Sequence, residues 1–578
     1  MKGKASGIER NLVRSERAML GWAAGGLLAL ALALAGCRLL PGGETAAPAP
    51  SPTVTAIAPT VSATPAPGVT AAATIIPPTS APTVTPPAPL SYLAQPEGGP
   101  TELHLFDAAG DQLLATDRQG FASLAWSPNG RLGAAVVTSA GDKALIVIDV
   151  SARQARRTIT AGPGARLAFR PAANWSRLLA QREDELWLIE TAGGEPRRLT
   201  QTAGSLASWD ISGDGRWALL GVEAEGHYVT SLLQTQGNQA IEISGAPHPA
   251  AEFSADGRWL ALLSDGGGSA LLTLRLIDLN ALPADAATRI IATANSIAPA
   301  ITRDGASRYF TADGSWLGLL AGAGDKLSLR LRELAGPARA EFPWPAAEQL
   351  SWMVVYPTLR RALLVSGNAT ASARQFRLQL LYLDQQTSVP LIDGLGEAFL
   401  LSEPDNPLAA TDAVAPAGEH FLALTDVAQG ASRIVLRGAL RPLAVSADGS
   451  RAIVALGPAG QEQVHLLDLK TGGTVLFLGL SAGGEARAAR AGFAPAGPAV
   501  WAWLWQPDGA AQLVVSPDGR SAPATVGEHV SEMAFAPGGN ALAFVGEMAQ
   551  GAGLYLAWPD GRGLRFLAKG RAPRWLAP

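Results

Sequence analysis

Short apolar runs separated by tight turns recur along the chain from about residue 90 onward. In each copy an apolar run ends in Ser or Thr and a small residue, Asp-Gly or Asn-Gly follows, and a second apolar run begins. Asp-Gly and Asn-Gly supply the positive φ angles that a tight β-hairpin requires. The clearest copies occupy residues 121–137, 206–222, 250–265, 307–322, 440–456 and 533–547. The pattern therefore predicts pairs of β-strands rather than helices.

The spacing of these copies defines a repeat. Gly215 and Gly257 are 42 residues apart, as are Gly497 and Gly539. A third apolar run follows the hairpin, as at residues 144–150, and a fourth completes the unit. Four short strands in each repeat of this length are typical of β-propeller blades. We expect an all-β fold of about ten to eleven four-stranded blade units after residue 90.

Two segments resemble a known family. SADGRWLALLS at residues 254–264 and ELWLIETAGGEPRRLT at residues 185–200 resemble the repeats of TolB-type β-propellers, also called WD40-like. The resemblance implies propeller blades over nearly all of residues 90–578. It implies little about activity, because propellers carry many unrelated functions. TolB-type proteins act in envelope protein complexes, but no residue here identifies a particular partner.

The number of rings follows less directly from the repeats. A ring usually has about four to eight blades, so eleven units favour two rings, within residues 91–345 and 346–578. One large irregular ring is the alternative. Unit 411–438 is short, which predicts that it lacks its outer strand. Residues 91–118 are typical of later strands of an eleventh blade, whose first strand residues 572–578 can supply, so that the chain ends close the ring.

Residues 1–37 are typical of a secretion signal. A basic start precedes 19 uncharged residues from Ala18 to Gly36, the order that the secretion machinery recognises. The apolar run ends in Leu34, Ala35, Gly36 and Cys37, which resembles the lipobox of bacterial lipoproteins and implies a lipid on Cys37. The alternative is an uncleaved signal anchor, since such a run can just span a bilayer. Both interpretations place the rest of the chain outside the cytoplasm.

Residues 38–90 differ from the rest of the chain. Positions 41–90 contain 13 Pro, 12 Ala and 10 Thr, with Glu44 as the only charged residue. Such a segment cannot bury enough apolar surface to offset the entropy lost on ordering. We therefore expect a disordered, extended linker between membrane and propeller.

Composition and charge exclude several functions. The 45 Lys and Arg residues against 49 Asp and Glu give a net charge of −4, which argues against nucleic-acid binding. The single cysteine excludes intrachain disulfides and multi-cysteine metal sites. The six histidines show no zinc-binding spacing, and the recurring Asp residues are explained by their turns. We expect no metal and no cofactor.

Catalytic motifs are weak. Residues 479–483 match the G-x-S-x-G pattern of serine hydrolases, but that elbow needs a strand, a turn and a helix, with acid and histidine partners. Only strand-like sequence and His529 follow it. The first strands of the blades are mostly small and apolar, with Glu252 a rare acid. The sequence predicts that the protein is not an enzyme and has no catalytic residues.

One tryptophan-rich strand is a candidate ligand platform. Trp501, Trp503 and Trp505 alternate and so share one face; the alternative is a blade face buried against the next blade. The predicted function is a non-enzymatic scaffold, lipid-anchored on the extracytoplasmic side of the cell membrane, that binds envelope proteins or a ligand. The alternative is an extracytoplasmic glycan-active enzyme or glycan-binding propeller whose partner is cell-wall glycan.

Overall fold

The computed structural model describes residues 86–576, apart from positions 122, 140, 202–203, 225–226, 238–239, 245–249, 266–270, 283–287, 304, 324–325, 369–374, 403–405, 459–461, 480–486 and 506–510. Within these residues the chain is β-strand and turn, with one short 3-10 turn at Pro357–Leu359. The strands form eleven four-stranded antiparallel units, here called blades 1 to 11, and one inserted hairpin. The predicted all-β propeller fold is confirmed.

Blade 1 contains β1 (Leu90–Ala94), β2 (Thr101–Asp107), β3 (Gly110–Asp117) and, from the other end of the chain, β45 (Gly570–Trp575). Blade 2 contains β4 (Ser123–Trp126), β5 (Leu132–Ser139), β6 (Asp142–Asp149) and β7 (Gln154–Ala161). Blade 3 contains β8 (Leu167–Pro171), β9 (Arg177–Arg182), β10 (Glu185–Glu190) and β11 (Arg197–Gln201). Blade 4 contains β12 (Ser205–Ile211), β13 (Trp217–Ala224), β14 (His227–Gln234) and β15 (Ala240–Ser244). Blade 5 contains β16 (Ala250–Phe253), β17 (Trp259–Asp265), β18 (Leu272–Asp278) and β19 (Thr288–Ala294).

Blade 6 contains β20 (Ser296–Pro299), the inserted hairpin of β21 (Ile301–Arg303) and β22 (Ala306–Arg308), then β23 (Trp316–Ala323), β24 (Lys326–Glu333) and β25 (Arg339–Trp344). Blade 7 contains β26 (Gln349–Tyr356), β27 (Arg361–Asn368), β28 (Gln375–Tyr382) and β29 (Thr387–Leu395). Blade 8 contains β30 (Glu397–Leu400), β31 (Leu408–Val414), β32 (His420–Asp426) and β33 (Ala431–Gly438). Blade 9 contains β34 (Leu440–Val445), β35 (Arg451–Leu456), β36 (Gln463–Asp468) and β37 (Thr474–Leu478). Blades 10 and 11 contain β38 (Arg487–Phe493), β39 (Val500–Trp505), β40 (Ala511–Ser516), β41 (Ala524–Phe535), β42 (Leu542–Met548), β43 (Gly551–Ala557) and β44 (Arg565–Ala568).

A repeated hydrogen-bonded turn joins the first and second strands of several blades. In blade 5 the Ser254 hydroxyl donates to Asp256 Oδ1 at 2.5 Å and accepts the backbone N–H of Trp259 at 2.9 Å. Gly257 completes the turn at φ 73°, where a side chain would be strained. Equivalent hydroxyl-to-side-chain bonds link Ser127 to Asn129, Ser212 to Asp214, Thr311 to Asp313 and Ser446 to Asp448. The recurring Asp residues thus stabilise turns.

Apolar clusters join each blade to the next. Leu145 of blade 2 packs in one cluster with Leu178 of blade 3, and comparable clusters join the later blades in chain order. The series closes where Leu90 of blade 1 packs with Leu554 and Leu556 of blade 11. The core of the molecule therefore lies between the blades.

The packing differs from the two rings expected within residues 91–345 and 346–578. Leu329 and Leu331 of blade 6 are fully buried against Met353 and Val355 of blade 7, so the contacts continue across that boundary. Two rings would instead require blade 6 to close onto blade 1. The closed series of contacts corresponds to one large ring, because the apolar face of blade 6 is covered by blade 7.

The two ends of the described chain meet in blade 1. Leu90 pairs with Trp575 and Ala94 with Gly570 in an antiparallel ladder, and the backbone N–H of Leu576 donates to the carbonyl of Pro89 at 2.8 Å. Leu576 is fully buried. Closure of the ring by the C-terminal strand agrees with the sequence expectation, since an unpaired β1 would leave an open sheet edge.

Blades 10 and 11 share one strand. The first part of β41 pairs with β40, as in Ala524 opposite Val515, and its last part pairs with β42, as in Phe535 opposite Leu542. Val526 and Val530, between these two parts, are buried in the same cluster. The fourth strand of blade 10 therefore continues into the first strand of blade 11.

Candidate functional site

The candidate site lies on the inner surface, which we define as the surface formed by the first strands of the blades. Arg170 in β8, Asp210 in β12 and Glu252 in β16 occupy one equivalent position, two residues before the turn, in three consecutive blades. Blades 2, 9 and 11 have alanine at this position. Charged side chains there distinguish blades 3 to 5 from these blades.

Arg170 and Asp210 link the first strands of blades 3 and 4. Arg170 Nη1 lies 3.2 Å from Asp210 Oδ1, and the guanidinium lies 5.2 Å from the ring centroid of Trp209. Trp209 Nε1 in turn donates to Gln181 Oε1 at 2.8 Å. Because the Arg170 side chain is 55% exposed, a ligand on the inner surface can reach the pair.

Glu252 is the buried member of the set. Its side chain is 14% exposed, and Arg303 Nη2 lies 3.9 Å from Oε1. Its Oε2 accepts the backbone N–H of Tyr309 at 2.9 Å. Burial raises the pKa of Glu252, and the Tyr309 N–H and the Arg303 charge offset part of that rise. Glu252 thus links blade 5 to the inserted hairpin of blade 6, through Arg303, and to the residue directly after the hairpin, Tyr309.

The inserted hairpin, residues 301–308, interrupts the first strand of blade 6. β20 pairs with β23 as far as Pro299, and after the hairpin the chain pairs again where Phe310 meets Leu317. The hairpin also reaches blade 7, where Thr302 Oγ1 accepts the N–H of Met353 at 3.0 Å. Arg308 is exposed at its end. The hairpin therefore adds a basic edge beside Glu252.

The carboxylates of this surface are held by neighbouring charges and by the backbone. Asp210 is paired with Arg170, and Glu252 is held by a backbone N–H with Arg303 nearby. Arg170 and Asp210 beside Trp209, together with exposed Arg308 at the end of the hairpin, give this surface side chains of both charges.

The sequence indicated Glu252 but missed Arg170 and Asp210. All three lie two residues before their turns, so aligning the repeats on the positive-φ turn residue, which is Trp175, Gly215 or Gly257, shows the charged position directly. One feature of the sequence indicated an insertion here, namely the long interval between the turn glycines Gly257 and Gly314.

The tryptophan strand is mostly covered. Trp501 and Trp503 pack against the cluster between blades 10 and 11, with Leu513 and Phe544 among its members. Trp505, at the strand end, is 46% exposed. The structure therefore does not arrange these three tryptophans as one open platform, and it follows the alternative of a blade face packed against its neighbour for two of them.

His104 lies between two carboxylates in blade 1. Its Nδ1 lies 2.9 Å from Asp111 Oδ2 and its Nε2 lies 3.1 Å from Glu102 Oε2, and its ring stacks on Tyr92 with centroids 5.0 Å apart. The hydrogen bond with Asp111 raises the pKa of His104, although burial opposes this. Burial acts to raise the pKa of Asp111. The hydrogen bond with His104 and the charge of His104 lower it, and the net shift of the pKa of Asp111 is downward. The cluster favours protonated His104 beside ionised Asp111.

His104→Gln is expected to remove a pH-dependent part of the stability. A raised histidine pKa gives stabilisation that is complete below the unfolded value of about 6.5 and is lost as pH rises through the folded value. The lowered pKa of Asp111 gives stabilisation present above about 3.9 and lost as pH falls through the folded value. The melting temperatures of the wild type and the variant should therefore differ most at about pH 4.5–6. His529→Asn, at an exposed histidine, is the control, and a difference that does not change with pH contradicts the assignment.

Among the described residues there is neither a candidate metal site nor a candidate membrane-spanning helix. Among them, no three His, Cys, Asp or Glu side chains come together as a group that could hold a metal ion. Nor does that part of the chain contain a helix with the length and hydropathy needed to cross a bilayer. Cys37, the G-x-S-x-G serine Ser481 and most of the 38–90 linker lie outside the described residues.

Comparisons with known proteins found structural likenesses only. No family model and no curated protein matches the sequence. TolB from Acinetobacter baumannii is similar in structure at 17% identity and a TM-score of 0.24, over 44% of this chain and 64% of TolB. A prolyl endopeptidase is similar at 12% identity and a TM-score of 0.28, over 61% of this chain and 54% of that protein. A eukaryotic initiation factor is similar at 10% identity and a TM-score of 0.37, over 84% of this chain and 98% of that one.

These likenesses concern the fold alone. The chain spans less than two thirds of the TolB and prolyl endopeptidase chains that it matches. The repeated four-stranded antiparallel sheets themselves identify a β-propeller.

Proposed function

We propose that this protein is a non-enzymatic scaffold, lipid-anchored on the extracytoplasmic side of the cell membrane, that binds a segment of an envelope protein on the inner surface of blades 3 to 6. The observation that carries the proposal is the charged set at one repeat position, Arg170, Asp210 and Glu252, next to the inserted hairpin. A blade needs only a small apolar residue at this position, because blades 2, 9 and 11 have alanine there.

The location rests on the N-terminal sequence. The basic start, the uncharged run from Ala18 to Gly36 and the cysteine that follows match the order of a lipoprotein signal. Lipid on Cys37 would hold the protein at the membrane, and the Pro/Thr/Ala-rich linker of residues 38–90 would hold the propeller away from it.

Site-specific photo-crosslinking in living cells tests the binding surface. Phe399 lies in the first strand of blade 8 and is 53% exposed, whereas Val475 lies in the fourth strand of blade 9 and is 55% exposed. A photoreactive residue at Ser208, exposed in the first strand of blade 4, should capture a small set of envelope proteins, and the same residue at Phe399, in a blade outside the proposed surface, should not. The same residue at Val475 serves as the matched control and should not capture them.

A captured protein must then bind the purified full-length propeller, and Asp210→Lys should weaken that binding at least about tenfold, because it leaves Arg170 beside a like charge. An unchanged melting temperature shows that the loss is not due to unfolding. Equal capture at the inner and outer positions would contradict the proposal. Recovery of cell-wall glycan alone would favour the glycan-binding or glycan-active alternative.

A further inference from the structure

Two arginines lie directly opposite each other in blade 6. The register of β24 and β25 pairs Arg332 with Arg339, and directly paired residues of an antiparallel ladder project from the same face of the sheet. Leu329 and Leu331 face blade 7. Because strand residues alternate between faces, Arg332 and Arg339 face blade 5.

A third arginine approaches this pair from blade 5. Arg289 in β19 is paired with Leu276, and Leu276 packs against blade 6 in the cluster that contains Leu317 and Leu319. Arg289 therefore projects toward blade 6. Its charge and that of Arg339 both lower the pKa of Arg332, after the larger effect of burial. The three guanidinium groups form one cluster, here called the arginine cluster.

The arginine cluster contrasts with the arginines around it. On the same face, Arg330 Nε lies 3.0 Å from Glu341 Oε1, and in blade 5 Arg258 is paired with Asp278 at 3.1 Å. Within the described residues, the side chains of Arg289, Arg332 and Arg339 have no carboxylate partner and no hydrogen bond. Like charges directly opposite in a sheet destabilise it, so stability does not explain this arrangement.

An oxyanion would relieve the repulsion. Each guanidinium presents a planar fork of N–H donors that matches two oxygens of a phosphate, and it keeps its charge at all physiological pH values. Three such groups lie on the facing sides of blades 5 and 6. We propose that the arginine cluster is a binding site for a phosphate group, separate from the inner-surface site.

Thermal unfolding of the full-length protein tests this site. Melting temperatures are measured in sodium phosphate and in sodium chloride at equal ionic strength and pH. The wild type should gain several degrees in phosphate, because a ligand that binds only the folded state stabilises it. Arg332→Gln/Arg339→Gln should lose the part of this gain that is due to binding, and should melt in chloride at or above the wild-type temperature. Arg330→Gln, which removes a paired arginine on the same face, should keep the full gain.

The control variant separates binding from the general stabilising effect of phosphate on burial, since that effect acts on all variants alike. An equal gain in all three proteins would overturn the proposal. Should the double variant fail to fold, Arg339→Gln, at an exposed position, is tested by the broadening of the phosphorus resonance of inorganic phosphate. Broadening by the wild type and Arg330→Gln but not by Arg339→Gln supports the site, and equal broadening contradicts it.

Two further measurements identify the source of the phosphate group. Protection by soluble glycerol phosphate indicates a free phosphate ester or a phosphate polymer. Co-sedimentation with phosphatidylglycerol vesicles but not with phosphatidylcholine vesicles, lost in Arg339→Gln, indicates a lipid headgroup. Either result supports a phosphate site, and failure of both together with no phosphate effect refutes it without bearing on the inner-surface site.

Discussion

Deletion of residues 570–578 is expected to abolish stable folding of the propeller at physiological temperature. The deletion removes β45, which pairs with the edge of β1 opposite β2 in blade 1. It also removes Trp575 and Leu576, which are 8% and 0% exposed, from the clusters on either side of blade 1. Loss of a large buried side chain costs about 3–5 kcal/mol. Two such losses approach the whole free energy of unfolding of a typical domain, about 5–15 kcal/mol.

Circular dichroism melts and size-exclusion chromatography measure the effect. Deletion of residues 577–578 alone is the matched control, since it leaves β45, Trp575 and Leu576 in place. The control should melt like the full-length protein, whereas the longer deletion should aggregate through the exposed edge of β1. A sharp, unshifted transition in the longer deletion would show that β45 does not close the ring.

Cys37→Ala is expected to release the protein from the membrane or to leave an unprocessed precursor. If Cys37 carries the lipid, its removal takes away both the acyl chains and the cleavage site. Fractionation of cells that express the full-length protein, with radiolabelled fatty acid, measures both effects. The wild type should be in the membrane fraction and carry label, and the variant should carry none.

Leu39→Ala, two residues beyond the cysteine, is the control and should behave as the wild type. Membrane attachment of Cys37→Ala without loss of label would contradict lipidation. Attachment of an unlabelled wild type and variant alike would identify the apolar run from Ala18 to Gly36 as a signal anchor.

Turn chemistry made most of the fold predictable. The Ser-x-Asp-Gly segments satisfy their own hydrogen bonds, as Ser254 and Asp256 show, so each copy marks a strand pair independently of its surroundings. Closure by the C-terminal strand was predictable because blade 1 lacked a first strand. The prediction that unit 411–438 lacks its outer strand is wrong, since its first strand is Glu397–Leu400 and its fourth is Ala431–Gly438.

The arrangement of the blades and most of the site were not predictable. Which apolar faces meet depends on contacts between residues far apart in sequence, such as Leu331 with Met353, and a blade pattern is the same in one ring or two. Trp501 and Trp503 alternate as an exposed face would, but a buried face alternates in the same way. Arg170 and Asp210 belong to different repeats, so only the register of the blades brings them together.

The strand shared by blades 10 and 11 has a consequence for how the molecule loses its structure. Elsewhere in the described chain the last strand of one blade and the first strand of the next are separate strands, with at least one residue between them. Between blades 10 and 11 there is no such break, because the residues that pair with β40 and those that pair with β42 belong to the one continuous strand β41. The amides of these two blades should therefore exchange with solvent deuterium as a single cooperative unit, and that unit adjoins the blade where the chain ends meet.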